Sequence, residues 1–257
     1  MNPLSGLERE VVYLMLESLR VAGVVFFAPL PWLYAPVRLR AAIVAVLTLA
    51  VHGVHPIERF SNAAAILITA PTEVIVGVAM AFVVRVCVSS IEIANDLITT
   101  VMGLNAMPLF DPKVQVSETP IGQLVRNVFM LIALSVGLHR VVLLALFDSY
   151  AVLPAGRAAD VTQFGPFFRE LTSAVLVGGV QMALPVVSTI VVAQVGLAFI
   201  ARAAPPLQIF SVGFAVTISL GAYVLYAALT DIAYDWVRDL SLVASHFDRL
   251  FLALLAR

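Results

Sequence analysis

The chain has 257 residues, 61% hydrophobic and 12% charged, with a net charge of −1 and a mean hydropathy of +1.03. Soluble domains carry about 45–50% apolar and about 25% charged residues, so these values place the chain among polytopic helical membrane proteins. The charge balance offers nothing to nucleic acid, and the apolar runs do not alternate as the strands of a membrane barrel do. A single cysteine, Cys87, excludes an intramolecular disulfide and any Cys-based metal cluster; its apolar surroundings make it a small core residue.

Glu8, Arg9 and Glu10 replace the basic region of a cleavable signal, so the first apolar helix is expected to stay in the mature chain. That helix runs from Val11 to Leu30 and is interrupted by Glu17 and Arg20. Three positions apart, these can meet on one face, pairing or lining a protein interior. Pro29 and Pro31 end it. The following turn carries Trp32 and Tyr34, amphipathic aromatics suited to an interface, and then Arg38 and Arg40, which prefer headgroups or water. A second helix spans about Val37 to Val54 and stops near His55-Pro56.

A third helix follows the N-cap pair Ser61-Asn62 and contains Glu73. An intramembrane carboxylate is a functional candidate by default; the alternative is a Glu facing a partner subunit or an aqueous lumen. Beyond Arg85, Glu92, Asn95 and Asp96 make an amphipathic continuation. Met102 to Gly122 reads as a loop, with Met102, Met107, Leu109 and Phe110 unusually apolar for one. Methionine suits a surface that seals and re-packs, although a loop tucked against its own helices fits as well.

A fourth helix is expected from Leu124 to Tyr150, with Gly137, His139 and Arg140 in its middle, closing at Pro154 and Gly156. The histidines show no metal-ligand spacing. Two runs without any charged residue or histidine follow, Leu171 to Ala201 and Ala203 to Thr230, of 31 and 28 residues. As helices they would extend about 46 and about 42 Å, against a hydrocarbon core of about 30 Å. Each is too long for one level span and too short for two, and Pro185 interrupts the first. Broken helices or short hairpins are therefore expected. Gly213, Thr217 and Gly221, and likewise Ser211, Ala215 and Ser219, have the small-xxx-small spacing of close helix packing. In the tail, 231–257, an apolar stripe of Ile232, Trp236, Leu240, Val243, Phe247, Leu250 and Leu254 predicts an amphipathic helix on a membrane or against partner subunits.

No phosphate-binding Gly-rich loop, H-E-x-x-H or G-x-S-x-G motif occurs, and no paired carboxylates suit acid–base work. An enzyme is not expected, nor a cofactor.

Arg202, Pro205, Phe210, Gly213 and Phe214, in the stretch RAAPPLQIFSVGF, are similar to the R-x-x-P-x-x-N-x-F-x-x-G-F signature of the FliR/SctT family. Its members are the R-type (flagellar) or T-type (injectisome) export-gate subunits of type III secretion systems. Gln208 and Ala215 depart from the pattern, where asparagine and proline are usual. Further landmarks follow in the family's order: Phe27-Ala28-Pro29, Arg38 and Arg40, Glu73 with Gly77, and Asp96 with Gly103 and Asp111-Pro112. Gly137-x-His139, Ser149, Pro154-x-Gly156, Pro185 and Gly196 complete the set. Together they cover about Val11 to Leu229.

The resemblance implies one all-α, membrane-associated export-gate domain over 1–257, of bent or broken helical hairpins packed in a helical hetero-oligomer. N-terminal hairpins (about 11–160) carry a plug loop near 102–122, and apolar C-terminal hairpins occupy 161–230. Met102, Met107, Leu109 and Phe110 become pore-plug candidates. Arg202, Pro205, Phe210, Gly213 and Phe214 become assembly residues. Implied partners are the P-type and Q-type gate subunits, the switch (B/U-type) and large (A/V-type) export proteins, and unfolded secreted polypeptides. The implied site is the bacterial inner membrane at the base of a secretion or flagellar basal body, with much of the assembled cone raised above the bilayer plane. The competing reading is a stand-alone polytopic secondary transporter with Glu73 as coupling residue; its two halves would be related, but the second half supplies no counterpart carboxylate.

Overall fold

The computed structural model describes residues 6–54, 63–104, 120–156, 164–203 and 209–255. Among these, every regular element is helical. In chain order they are α1 (Gly6–Phe27), a single 3-10 turn (Pro31–Tyr34), α2 (Val37–His52), α3 (Ala63–Val101), α4 (Pro120–Val136), α5 (Leu138–Val152), α6 (Phe164–Ala203), α7 (Ile209–Ser241) and α8 (Val243–Leu255). Three helical stretches, Thr69–Val101, Phe164–Ala203 and Gly213–Leu255, are long and apolar enough to cross a membrane. This is an all-α membrane protein.

The backbone divides into two compact units. The first comprises Met1–Val88, Gly137–Thr172 and Ser241–Arg257. Here α1 lies against α2, and α5 against α8. Leu16, Val21 and Val25 of α1, Met80 and Val84 of α3, Leu146 of α5 and Phe247 and Leu250 of α8 are buried in its core. The corner between α1 and α2 is closed by Arg40, whose Nε donates to the Ala35 carbonyl at 3.1 Å while its guanidinium lies 5.0 Å from the Phe26 ring centroid.

The second unit comprises Ser89–Val136 and Ser173–Leu240. Phe129 of α4 meets Trp236 of α7 edge to face, centroids 5.2 Å apart. Gly179 of α6 lets α3 approach closely: a Cβ there would stand 2.6 Å from the Ser90 carbonyl oxygen. Farther along the same two helices, Gln194 Nε2 donates to the Val101 carbonyl at 3.2 Å.

Three expectations change. The fourth helix is two, α4 and α5, bent by 56° at Gly137, whose φ of 90° is left-handed and open to glycine without strain. The apolar pattern runs straight through that glycine and hides the bend. Conversely, the first charge-free run is not broken. α6 continues through Pro185 as one helix of 40 residues, and most of the second run lies within α7, of 33. Proline removes only its own donor, so the bond lost is the one to the Gln181 carbonyl, and the rest of the long helix carries it; Thr189 Oγ1 adds a side-chain bond to the Pro185 carbonyl at 2.8 Å. Finally, every residue of the C-terminal stripe from Ile232 to Leu254 is buried within this chain rather than presented to a membrane or partner.

Burial is uneven. Two thirds (67%) of the most apolar window of α3 is buried, but only 17% of that of α6. Val177, Leu184, Val192, Val195 and Phe199 of α6 are all exposed. α6 therefore needs a covering of lipid or protein that the described residues do not supply.

Candidate functional site

Two of the three ionisable residues that stand out in the first apolar helices, Arg20 and Glu73, converge on one cluster in the first unit. Arg20 of α1 and Glu73 of α3 have no exposed side-chain surface, and Arg20 Nε lies 2.7 Å from Glu73 Oε2. Two buried charges are tolerable only when paired and hydrogen-bonded, and the remaining bonds come from the end of α5. Arg20 Nη1 donates to the Ser149 carbonyl at 3.0 Å, to Ser149 Oγ at 3.2 Å and to the Leu153 carbonyl at 2.9 Å. The Ser149 carbonyl, which also accepts the Leu153 N–H, lies in the last turn of the helix and the Leu153 carbonyl on its C-cap residue, where intrahelical partners run out and the helix dipole is negative. The guanidinium thus caps α5 from another helix. Glu73 Oε1 in turn accepts the Gly156 backbone N–H at 2.8 Å; Gly156 has φ 89°, a left-handed turn that glycine adopts without strain.

Tyr150 lines the cluster. Its ring lies 4.2 Å from the Arg20 guanidinium carbon, and its hydroxyl donates to the Glu17 carbonyl at 2.8 Å. The Glu17 carboxylate pairs with His52 Nδ1 of α2 at 3.1 Å. The i, i+3 spacing of Glu17 and Arg20 therefore does not make a pair: each takes a partner from a different helix. One turn farther on, Gly23 and Gly77 bring the α1 and α3 backbones into direct contact.

Glu73 faces neither a lumen nor a partner subunit. A carboxylate that is fully buried, ion-paired and hydrogen-bonded has no route to a transported ion, which removes the ground for the transporter reading. Chemically the cluster can lock α1, α3 and the end of α5 together, and it presents no nucleophile or open ligand position. Among the described residues no group of His, Cys, Asp or Glu could hold a metal ion.

The second place of interest is the end of α3, in the other unit. Met102 is buried. A Cβ on Gly221 of α7 would lie 2.7 Å from Met102 Cγ and 3.0 Å from Ile190 Cδ1, so the thioether side chain fills the space that glycine leaves. Gly103, with φ 79°, is faced by the Phe214 ring, and Gly213 by Leu197. Of the two small-residue stripes, Gly213, Thr217 and Gly221 turn inward, whereas Ala215 and Ser219 are exposed. Met102, Gly213 and Phe214 are thus brought into one neighbourhood. Arg202 stands apart, exposed in the last turn of α6. Met107, Leu109, Phe110, Pro205 and the Phe210 side chain lie outside the described residues.

Sequence reasoning named Glu73 with Gly77, and Ser149 and Gly156 further on, but missed that Arg20 joins Glu73, Gly77 and Ser149 and that Gly156 bonds Glu73. It missed Tyr150 altogether. The available signal was charge complementarity, one buried cation and one buried anion in neighbouring apolar helices, each too costly to stand alone.

The family model for bacterial export proteins, family 1, matches residues 11–242. The flagellar biosynthetic protein FliR of Escherichia coli (strain K12) is 24% identical over 219 residues, 84% of this chain and 83% of that protein. FliR of Bacillus subtilis (strain 168) is 24% identical over 161 residues, 62% of each chain. The Yop proteins translocation protein T of Yersinia pestis is 27% identical over 155 residues, 60% of this chain and 59% of that protein. The matched part spans less than two thirds of the Bacillus and Yersinia relatives. With all but its two ends covered by the family model, the chain belongs to family 1 of the bacterial export proteins.

Proposed function

We propose that this protein is a structural subunit of a bacterial type III protein export gate, forming part of the portal through which unfolded polypeptides cross the inner membrane. The family match along residues 11–242 carries the reading, with relatives named for flagellar biosynthesis and for Yop translocation. Its partners are the P-type and Q-type gate subunits and the switch and large export proteins, at the base of a flagellar or injectisome basal body. The unsupported apolar face of α6 fits a subunit completed by assembly. The protein is a conduit and not an enzyme, and energy for export enters elsewhere in the machine.

Within the conduit, Met107, Leu109 and Phe110 are the plug, and Met102, held on Gly221, is the fixed root from which that segment departs. Non-directional apolar contacts seal against ions and yield to a passing chain. Arg202, Pro205, Phe210, Gly213 and Phe214 serve assembly. Native mass spectrometry of the protein extracted from its own membrane tests the reading: a mixed complex with two other small helical subunits is expected. A monomer or homo-oligomer that moves a small solute would sink it. Deleting Met107 to Phe110 is expected to leave that complex intact and raise ion conductance, whereas an unchanged tight barrier would remove the plug assignment.

A further inference from the structure

The second unit is held together unevenly. Three of its helices, α3, α6 and α7, interlock where a glycine on one receives part of another. Gly179 of α6 leaves room for the Ser90 carbonyl oxygen and Ile93 Cβ of α3, which lie 2.6 and 3.0 Å from where its own Cβ would stand. Gly221 of α7 receives Met102 from the end of α3. Gln194 of α6 supplies the Val101 carbonyl with a donor at 3.2 Å, at a helix end where intrahelical donors have run out. Glycine notches bring helices into close approach, and sliding one of these three along another would drive atoms into backbone. They move together or not at all.

α4 is joined differently. Asn95 Nδ2 of α3 donates to the Gly122 carbonyl near its start, at 3.2 Å, and the Phe129 ring rests edge-on against Trp236. Along the same seam lies an apolar cavity of about 10 Å³, lined by Ile91, Ile98 and Met102 from α3 and its end, Val125 and Phe129 of α4, and Leu225 of α7. Side chains around an unfilled gap forgo part of their dispersion contacts, so this seam is packed less closely than the glycine notches. On its other face α4 exposes Leu124, Val128 and Leu131.

The far end of α4 is Gly137, with φ 90°, where α5 departs at a bend of 56°. A Cβ on Gly137 would meet nothing within 4 Å, so the turn stands in open space on that side. Hinges are a few residues at element ends that absorb a change in dihedral angle, and glycine does so at least cost.

We propose that α4 is the movable wall of the second unit. It swings as a rigid rod about Gly137, away from the fixed frame of α3, α6 and α7, and the Asn95–Gly122 hydrogen bond is the latch. The latch lies about 22 Å from the pivot, so a swing of about 10° displaces it by about 4 Å. Release opens the seam and uncovers Ile91, Ile98 and Met102. The inference rests on packing within this unit and not on the export reading, so either can fail alone.

Pulsed electron–electron distance measurements on the full-length protein test it. Spin labels go on Leu124→Cys with Tyr223→Cys, spanning α4 and α7, or on Val192→Cys with Tyr223→Cys, spanning α6 and α7. All three positions are exposed, whereas the native Cys87 is buried. The first pair is expected to show two distance populations and the second pair one. Asn95→Ala should raise the longer-distance population of the first pair about two- to tenfold, the weight of one hydrogen bond, and leave the second pair unchanged. A single narrow population for the first pair, no response to Asn95→Ala, or an equal change in both pairs overturns the proposal. Should Asn95→Ala fail to fold, methyl relaxation dispersion of wild type decides. Met102, on the seam, should exchange between two environments on the microsecond-to-millisecond scale, and Met182 of α6 should not; flat profiles for both overturn the hinge.

Discussion

Gly77 and Arg20 touch through their backbones: a Cβ on Gly77 would overlap the Arg20 carbonyl oxygen, and a Cβ on Gly23 would come within 2.9 Å of the Gly77 Cα. The contact explains why the ion pair one turn away can form. Arg20 reaches Glu73 because nothing larger than hydrogen separates the two helices.

Gly77→Ala should therefore destabilise the protein by about 1–3 kcal/mol, the range for overpacking where the neighbour is backbone and cannot swing aside. Gly53→Ala is the control, because its Cβ would meet only ordinary contacts, at 3.6 and 3.7 Å. Thermal unfolding in detergent, read side by side for the two variants, checks the difference. Equal melting temperatures would show that the helices can separate without loss.

Arg20 and Glu73 should behave as a unit. Glu73→Gln or Arg20→Met alone leaves a buried charge without its counter-charge, at a cost of about 3–5 kcal/mol. The double variant Arg20→Met/Glu73→Leu removes both charges and should be more stable than the sum of the single losses predicts. A double-mutant cycle on chemical denaturation measures the coupling. Additive losses would mean that the two side chains act independently.

Gly137 isolates conformation from packing, because a Cβ there would meet nothing within 4 Å. Gly137→Ala should cost about 1–2 kcal/mol through the left-handed φ alone, and Gly137→Asn less, since asparagine tolerates that region. Unfolding curves that rank alanine and asparagine together would contradict this cause. The functional counterpart is a straighter α4–α5 pair, visible as a longer distance between spin labels placed on the two helices.

Arg202 belongs to assembly in the proposed function. It is exposed in the last turn of α6, has no ion pair or hydrogen bond among the described residues, and stabilises that helix end through the dipole by about 0.3–1 kcal/mol. Arg202→Ala should thus leave the isolated chain close to wild type in stability while lowering co-purification of the P-type and Q-type subunits several-fold. Normal complex yield would remove the assignment.

What could be read from the residues followed from local costs. A charge in an apolar helix is conspicuous, so Glu17, Arg20 and Glu73 stood out before their partners were known; the C-terminal stripe stood out because helical periodicity needs no tertiary information. Pairing could not be read. Arg20 joins Glu73 across 53 positions and Ser149 across 129, whereas spacing on one helix pointed to Glu17. Pro185 and Gly137 misled in opposite directions. A proline costs an interior helix one donor and is carried when the rest of a long helix supports it, while a glycine in an apolar run is invisible until its φ is seen. The inward and outward small-residue stripes of α7 were indistinguishable by spacing; burial separates them, with Met102 reaching into Gly221 on the inward side.

The arrangement around Arg20 also sets an order of events during synthesis. At about 5–20 residues per second, Glu73 leaves the ribosome roughly 3–10 s after Arg20, and Ser149 about 6–26 s after it. During that interval α1 carries a cation whose intended counter-charge and carbonyl cap do not yet exist. The first helix of the chain is thus a provisional passenger, dependent on the insertion machinery or on water to shield Arg20, and it settles only when the fifth helix has been made.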